Sequence, residues 1–456
     1  MNLLSLEYVL FSLGASFFSW IFHHKTRKYL VLAANLIFLL LISSAVVNGI
    51  YVLALCAYVY GVQMILSKKE DRKTLILLCL VPVLGLAWFK YAGFFTGTSI
   101  LLPLGISFYT FRAISFLAEV HKKAVPVQDP VSLIDYICFF PFFMAGPIHR
   151  PQPFFDALNA PFVFDYRKQK NGFIQMCLGL FEKLVIADFL KNMTDQFYRP
   201  ELSGIYTVLA VILYAFYIYA DFDAYSNTAL GIAKMMGFES ERNFHAPYCS
   251  SSLMEFWKRW HISLSSWLRD YIYIPLGGSR KGKVRKYLNI LIVFLASGLW
   301  HGNTLMFLIW GLGHGILNIL ENIIASVFRD KSWVRVLKPL LVILNFVIVA
   351  LLWVPFQSPS MADTISVFSR LSFSNLASFD PKAAGIVMNE WYLCLAALLV
   401  LVITDMLRYR WDMLEVLADR FILLRWVFYA LLIAIAIVFG VYGPGYHPED
   451  FIYVTF

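Results

Sequence analysis

Nearly uncharged apolar runs follow one another along the whole chain, at 29–47, 50–66, 74–88, 288–299, 305–328, 340–354 and 426–441. They are continuous rather than alternating, and several approach the roughly 20 residues that a helix needs to cross about 30 Å of hydrocarbon. The pattern predicts an all-α, polytopic integral membrane protein. Short basic clusters punctuate it and set a topology by the positive-inside rule. The cluster from His23 to Lys28 reads as cytoplasmic, which places the N-terminus outside. Residues 68–73 then fall inside, 89–99 outside and 121–123 inside. The basic stretches at 280–286, 329–338 and 408–410 read as cytoplasmic loops, and 442–456 as an extracytoplasmic tail. The first apolar stretch, 3–22, lacks a basic leader and reads as a retained helix, not a cleaved signal. Between about 130 and 255 the spans are short and charge-interrupted, so the pattern sets no topology there.

Three regions interrupt the apolar monotony. FFPFFMAGPIHRPQPFFD at 139–156 carries four prolines among aromatics, which suits a broken or re-entrant helix. The segment 217–249 sets Asp221 and Asp223 at the edge of an apolar helix. The third region is FWKRWHISLSSWLRDYIYIPLGGSRKGKVRKYLNILIVFLASGLWHGNTLMFLIWGLGHG, 256–315. Within it Trp257, Trp260, His261, Leu264, Leu268 and Tyr271 keep helical spacing. The interleaved charges exclude a lipid-exposed span and favour a helix in the interface or buried among others. From Tyr287 to His301 a helix rises roughly 22 Å at about 1.5 Å per residue. His301 therefore lies well over halfway across, just before Gly302-Asn303 turns the chain.

Composition sharpens this reading. Charged residues make up 15% of the 456 and hydrophobic ones 60%, against about 25% charged in soluble domains. The formal charge of +9 is chiefly loop bias; the same basic face suits an anionic donor such as a coenzyme A thioester. The six cysteines show no metal or redox spacing and read as small buried hydrophobes. No repeat or linker divides the chain, so 1–456 reads as one domain: N-terminal helices (1–100), a core (100–330), C-terminal helices (331–445) and a tail (446–456).

Histidine titrates near neutrality, and an ionisable side chain in the membrane needs a function or a partner. His301 therefore stands first. His261 also suits packing on an aromatic face. His314 sits among Gly311, Gly313 and Gly315, a pattern of close helix packing. Asp221 and Asp223 either orient a histidine or a substrate, or cap a helix end. His149, between Pro147 and Pro151, belongs to a turn.

The motifs FWKRWHISLSSWLRDYIYIPLGG and GLWHG, with PLGISFYTF (103–111), FFPFFMAGPIHRP (139–151) and YADFDAYSNTALGIAKMMGF (219–238) in order upstream, resemble the membrane-bound O-acyltransferase family, in particular its bacterial polysaccharide O-acetylation branch. The resemblance implies a bundle of about 11–14 membrane helices with re-entrant segments and a central tunnel. It makes His301 the catalytic base and His261 its partner. Asp221, Asp223, Arg259, Trp300 and Asn303 become the expected substrate contacts. The ending FIYVTF is similar to the F-x-Y-x-x-F tail of the exporting branch, which implies that Tyr453 carries the acyl group as an ester; a packed aromatic tail is the plainer reading. Where relatives continue PLGISFYTF with Gln, this chain has Arg112.

The implied function is passage of an acetyl group from a cytosolic thioester, acetyl-CoA foremost, to an extracytoplasmic polysaccharide through an SGNH-type partner. No bound cofactor, metal or nucleic acid is implied. The expected location is the cytoplasmic (inner) membrane, with both termini extracytoplasmic. D-alanyl transfer to teichoic acid from a carrier protein remains open within the class. A transporter or flippase with the histidines as proton relay is the reading from another class.

Overall fold

A computed structural model of the chain describes residues 5–21, 24–42, 45–97, 101–144, 146–161, 163–328, 336–411 and 422–441. Among them the regular structure is helical, without a strand. The N-terminal helices are α1 (Leu6–Ile21), α2 (His24–Leu41), α3 (Ala45–Leu66), α4 (Arg72–Thr96) and α5 (Ile106–His121). Then come α6 (Pro130–Cys138), α7 (Pro151–Asn159), α8 (Tyr166–Phe181), α9 (Asp188–Phe197) and α10 (Ile205–Met235). Two short helices, α11 (Leu253–Trp257) and α12 (Ile262–Leu268), precede α13 (Lys283–His301) and α14 (Leu305–Phe328). The last four are α15 (Lys338–Gln357), α16 (Met361–Arg370), α17 (Met388–Arg410) and α18 (Ile422–Phe439).

Seven of these, α3, α4, α10, α14, α15, α17 and α18, are long and apolar enough to cross a bilayer. The 11–14 membrane helices implied by resemblance thus meet seven full-length candidates among the described residues. The remainder are shorter or charge-bearing. The apolar run 29–47 is divided between α2 and α3, because hydropathy is blind to a break inside an apolar stretch.

Contacts divide the described residues into two compact units. The described residues up to Gly179 with Tyr225–Arg242 form the first; Leu180–Ala224 with the described residues from Asn243 onward form the second. In the first unit the proline-rich stretch is broken, as its composition predicts. α6 ends at Cys138, a 3₁₀ turn covers Phe140–Phe142, and α7 starts at Pro151. The amide left over at the break is satisfied by Asn35, whose Oδ1 accepts from Phe140 N at 2.9 Å. The Arg27 side chain donates to the carbonyls of Ala157 and Met236 at 2.7 and 2.6 Å, tying α2 to α7 and to the end of α10.

In the second unit α13 and α14 pack backbone to backbone. A Cβ on Gly298 would lie 2.5 Å from the Phe307 carbonyl, and one on Gly311 2.4 Å from the Phe294 carbonyl. The small-residue pattern therefore does what it predicts. Gly311→Ala is expected to force the helices apart and destabilise the protein by about 1–3 kcal/mol, the range for overpacking. Thermal unfolding of the detergent-solubilised variant checks this, and an unshifted midpoint would refute the close approach.

Candidate functional site

His301 is the last residue of α13 and is 4% exposed. Gly302 follows in an extended conformation, and a Cβ there would meet the Phe307 ring at 2.4 Å. The turn can therefore double back at once, so that α14 sets Trp310 against the imidazole at 4.9 Å between ring centroids, nearly perpendicular. Phe356, near the end of α15, closes another side at 5.0 Å. Trp300 lies at 4.5 Å and Phe307 at 6.2 Å. The histidine that depth and motif single out sits in an aromatic wall of Trp300, Phe307, Trp310 and Phe356. Apolar walls exclude water and strengthen every charge interaction inside them.

His261 is reached differently. The helical periodicity of 257–271 does not fold as one helix. α11 stops at Trp257, and His261 takes a left-handed conformation with φ 41° and ψ 55°. α12 then begins, and a π segment runs from Arg269 to Tyr273. The kink is held by residues 243–245, whose positions the periodicity cannot register. Ile262 N donates to Asn243 O at 2.9 Å and His245 N to Arg259 O at 3.0 Å. Ser263 Oγ donates to Asn243 Oδ1 at 2.6 Å. A left-handed non-glycine residue is costly and recurs at functional sites. The His261 ring is 1% exposed, edge-on to Phe222 at 4.7 Å and 6.2 Å from Trp300. Trp300 thus neighbours both imidazoles, whose centroids are no farther apart than the sum of its two distances.

α11 and α12 lie outside the seven spanning helices, and burial pushes the His261 imidazole down to about 3, so it is neutral at physiological pH. An unfolded chain would protonate it near 6.5. Between those values the unfolded state binds the extra proton, so folding stability is full above about pH 6.5 and falls as the pH drops below it. His261→Gln is expected to flatten this part of the profile. Unfolding midpoints of the two proteins between pH 5 and 8 measure it; parallel curves would remove the assignment.

Asp221 and Asp223 do not stand at a helix edge. They lie inside the 31-residue α10, 0% and 4% exposed, and both are ion-paired. Lys183 Nζ is 2.6 Å from Asp221 and 2.7 Å from Asp188. Residues 182–187 form a π turn, whose i→i+5 bonding brings positions such as 183 and 188 onto one face. Asp223 pairs with Arg408, which also lies 3.8 Å from Glu182. Tyr219 Oη donates to Asp405 Oδ1 at 2.5 Å. The stretch 408–410, read from sequence as a cytoplasmic loop, is the last turn of α17, with Arg408 turned to these acids. Phe222, between the two aspartates, is the residue that touches His261.

Arg259 is engaged by Glu255 at 3.0 Å, by the His245 carbonyl at 3.1 Å and by the Tyr409 ring at 4.5 Å. These contacts brace the kink. Trp300 is buried against both histidines, and Asn303 is exposed in the turn after His301. His314 is fully buried; its Nδ1 accepts from Trp257 Nε1 at 3.3 Å among stacked aromatics, a packing role. Tyr453 lies outside the described residues. Sequence reasoning missed Trp310, Phe356, Lys183 and Arg408. Trp310 stood nine positions after His301 in the same cassette; a lysine or arginine in an apolar stretch was the available signal for the other two cations.

The description "MBOAT, membrane-bound O-acyltransferase family" matches residues 8–357. The chain is 36% identical over 315 residues to a Pseudomonas aeruginosa protein named "Probable alginate O-acetylase AlgI", a match covering 64% of this chain and 59% of that one. It is 32% identical over 338 residues to the peptidoglycan O-acetyltransferase of Helicobacter pylori, covering 65% and 64%. It is 30% identical over 284 residues to the teichoic acid D-alanyltransferase of Streptococcus thermophilus, covering 58% and 68%. The chain thus matches under two thirds of the length of the first of these.

Proposed function

The chain belongs to the membrane-bound O-acyltransferase family, and from that premise we propose that it transfers an acetyl group from a cytosolic thioester, acetyl-CoA foremost, for O-acetylation of an extracytoplasmic polysaccharide. The observation that carries this reading is His301, buried in its aromatic wall at the end of α13 with Trp300 against it and His261 beyond. His301 takes the proton of the attacking hydroxyl as its oxygen bonds to the acyl carbon. The C–S bond breaks, and the imidazolium returns the proton to the departing thiolate. The neutral His261 orients His301 or donates to the carbonyl oxygen as charge develops there.

The acceptor hydroxyl is Tyr453 or a small diffusible acceptor, and an SGNH-type partner places the group on the polymer. The protein lies in the cytoplasmic membrane with both termini outside. The names of the P. aeruginosa and H. pylori relatives support acetyl over D-alanyl as the transferred group.

Purified protein given radiolabelled acetyl-CoA is expected to place label on its own chain or on an added small hydroxyl acceptor. Label that appears only with a D-alanyl-loaded carrier protein would move the reading to D-alanylation. Absence of transfer from either donor, with substrate transport in vesicles, would overturn the enzyme class.

A further inference from the structure

We propose that α16 is a lipid-docking surface, lying flat in the membrane interface at the end of the bundle that carries His301, with Met361, Ile365 and Phe368 seated among the acyl chains. The helix, Met361–Arg370, is too short to cross a bilayer, yet both of its ends are tied to the ends of helices that can. Only residues 358–360 separate it from Gln357, where α15 ends, a span of at most about 14 Å. At its other end Arg370 Nη1 donates to the carbonyls of Arg199 and Leu202 at 2.9 and 2.8 Å. Gly204 N, one residue before α10, donates to Arg370 O at 2.9 Å. Midway, Thr364 Oγ1 donates to Met306 Sδ, in the first turn of α14, at 3.3 Å.

α10, α14 and α15 are each long and apolar enough to span, so their ends mark a bilayer surface. Ten residues of helix extend about 15 Å, half of the roughly 30 Å of hydrocarbon, so the ends that α16 joins belong to one surface. A helix pinned there at both ends runs along that surface.

The side chains divide to match. At roughly 100° per residue, Met361, Ile365 and Phe368 share an arc of about 60°, and they are 42%, 59% and 43% exposed. Thr364 and Val367, on the neighbouring arc, are buried and hold the helix to the protein. Asp363, Ser366, Ser369 and Arg370 take the far side. Open water would leave the apolar arc wet, and a spanning helix would set the polar one in lipid. One apolar, one protein-packed and one polar face suit the boundary between acyl chains and headgroups. The loop that follows stays at the same level, since Ile205 N donates to Ser374 O at 3.2 Å, and it adds the exposed Phe373 and Leu376. Docking of this kind does not depend on which acyl group the protein transfers.

The test places p-acetylphenylalanine at 363, 365, 366 or 368 of the full chain, one position at a time, and couples a nitroxide to its ketone, which leaves the six native cysteines untouched. In phosphatidylcholine nanodiscs, power saturation then reads collision with oxygen, which concentrates among acyl chains, and with a water-soluble nickel chelate. Labels at 365 and 368 are expected to favour oxygen, and labels at 363 and 366 nickel. Equal nickel access at all four positions overturns the docking. Shielding of 365 and 368 from both probes overturns it as well, because a protein partner would then cover the face. Should the labelled variants fail to fold, the unmodified protein is irradiated in bilayers with a diazirine-bearing phosphatidylcholine. Adducts are expected at Ile365 or Phe368; adducts on the exposed Leu340, Ile343 and Val347 of α15 with none on α16 overturn the site instead.

Discussion

His301→Phe is expected to lower acyl transfer by about 10²–10⁴-fold, the usual contribution of a positioned general base, while the protein accumulates in the membrane at its normal level. Phenylalanine is the informative substitution because of the aromatic wall. The imidazole packs against Trp310 at 4.9 Å and Phe356 at 5.0 Å, so alanine would open a cavity beside both rings and mix loss of the base with loss of packing. Phenylalanine keeps a ring there and removes the proton acceptor. Transfer from labelled acetyl-CoA, normalised to folded protein, reads the effect. Retention of more than about a tenth of the rate would mean that another group takes the proton, and the base assignment would fall.

The second large effect concerns stability. Lys183→Met is expected to cost about 3–5 kcal/mol, because it strands Asp188 and Asp221 in the interior without their shared cation. The lysine side chain is 2% exposed and lies within 2.7 Å of both carboxylates. The carboxylates then unfold the protein, take up protons or draw in water, each at a cost. Adding Asp188→Asn and Asp221→Asn to Lys183→Met removes the stranded charges, and most of the loss should return. Unfolding midpoints of the single and triple variants measure both steps. A single variant as stable as the unmodified protein would show that the cluster is not held by this charge.

The two effects also mark what could be read from the chain before its structure. Five of the seven spanning helices, α3, α4, α14, α15 and α18, were legible because an apolar run long enough for a bilayer has few other uses. α10 and α17, whose ends carry charged residues, were not among the runs. His301 was legible because depth, the Gly-Asn turn and the motif all converged on it. The ion-paired cluster was not. Lys183 and Asp221 are 38 positions apart, and no local pattern reports that a cation in one helix meets an acid in another. The His261 kink was hidden for a different reason. The spacing from Trp257 to Tyr271 satisfies a helix, while the contacts that break it come from Asn243 and His245, outside the periodic window. Asp221 and Asp223 drew attention for their chemistry, yet the residue touching His261 is Phe222, which in sequence is one more aromatic among many.

The glycine-lined hairpin of α13 and α14 has a consequence for the order of assembly. Its closest approaches join residues near in sequence, Gly298 with Phe307 and Phe294 with Gly311, so little loop entropy stands against closing it. Contacts of such short range form early and fast. During synthesis the hairpin is therefore expected to zip as soon as α14 follows α13, with the His301 and Trp310 rings packed edge to face before α15 is complete. Phe356, which arrives with α15, then shuts a wall around a base already in place.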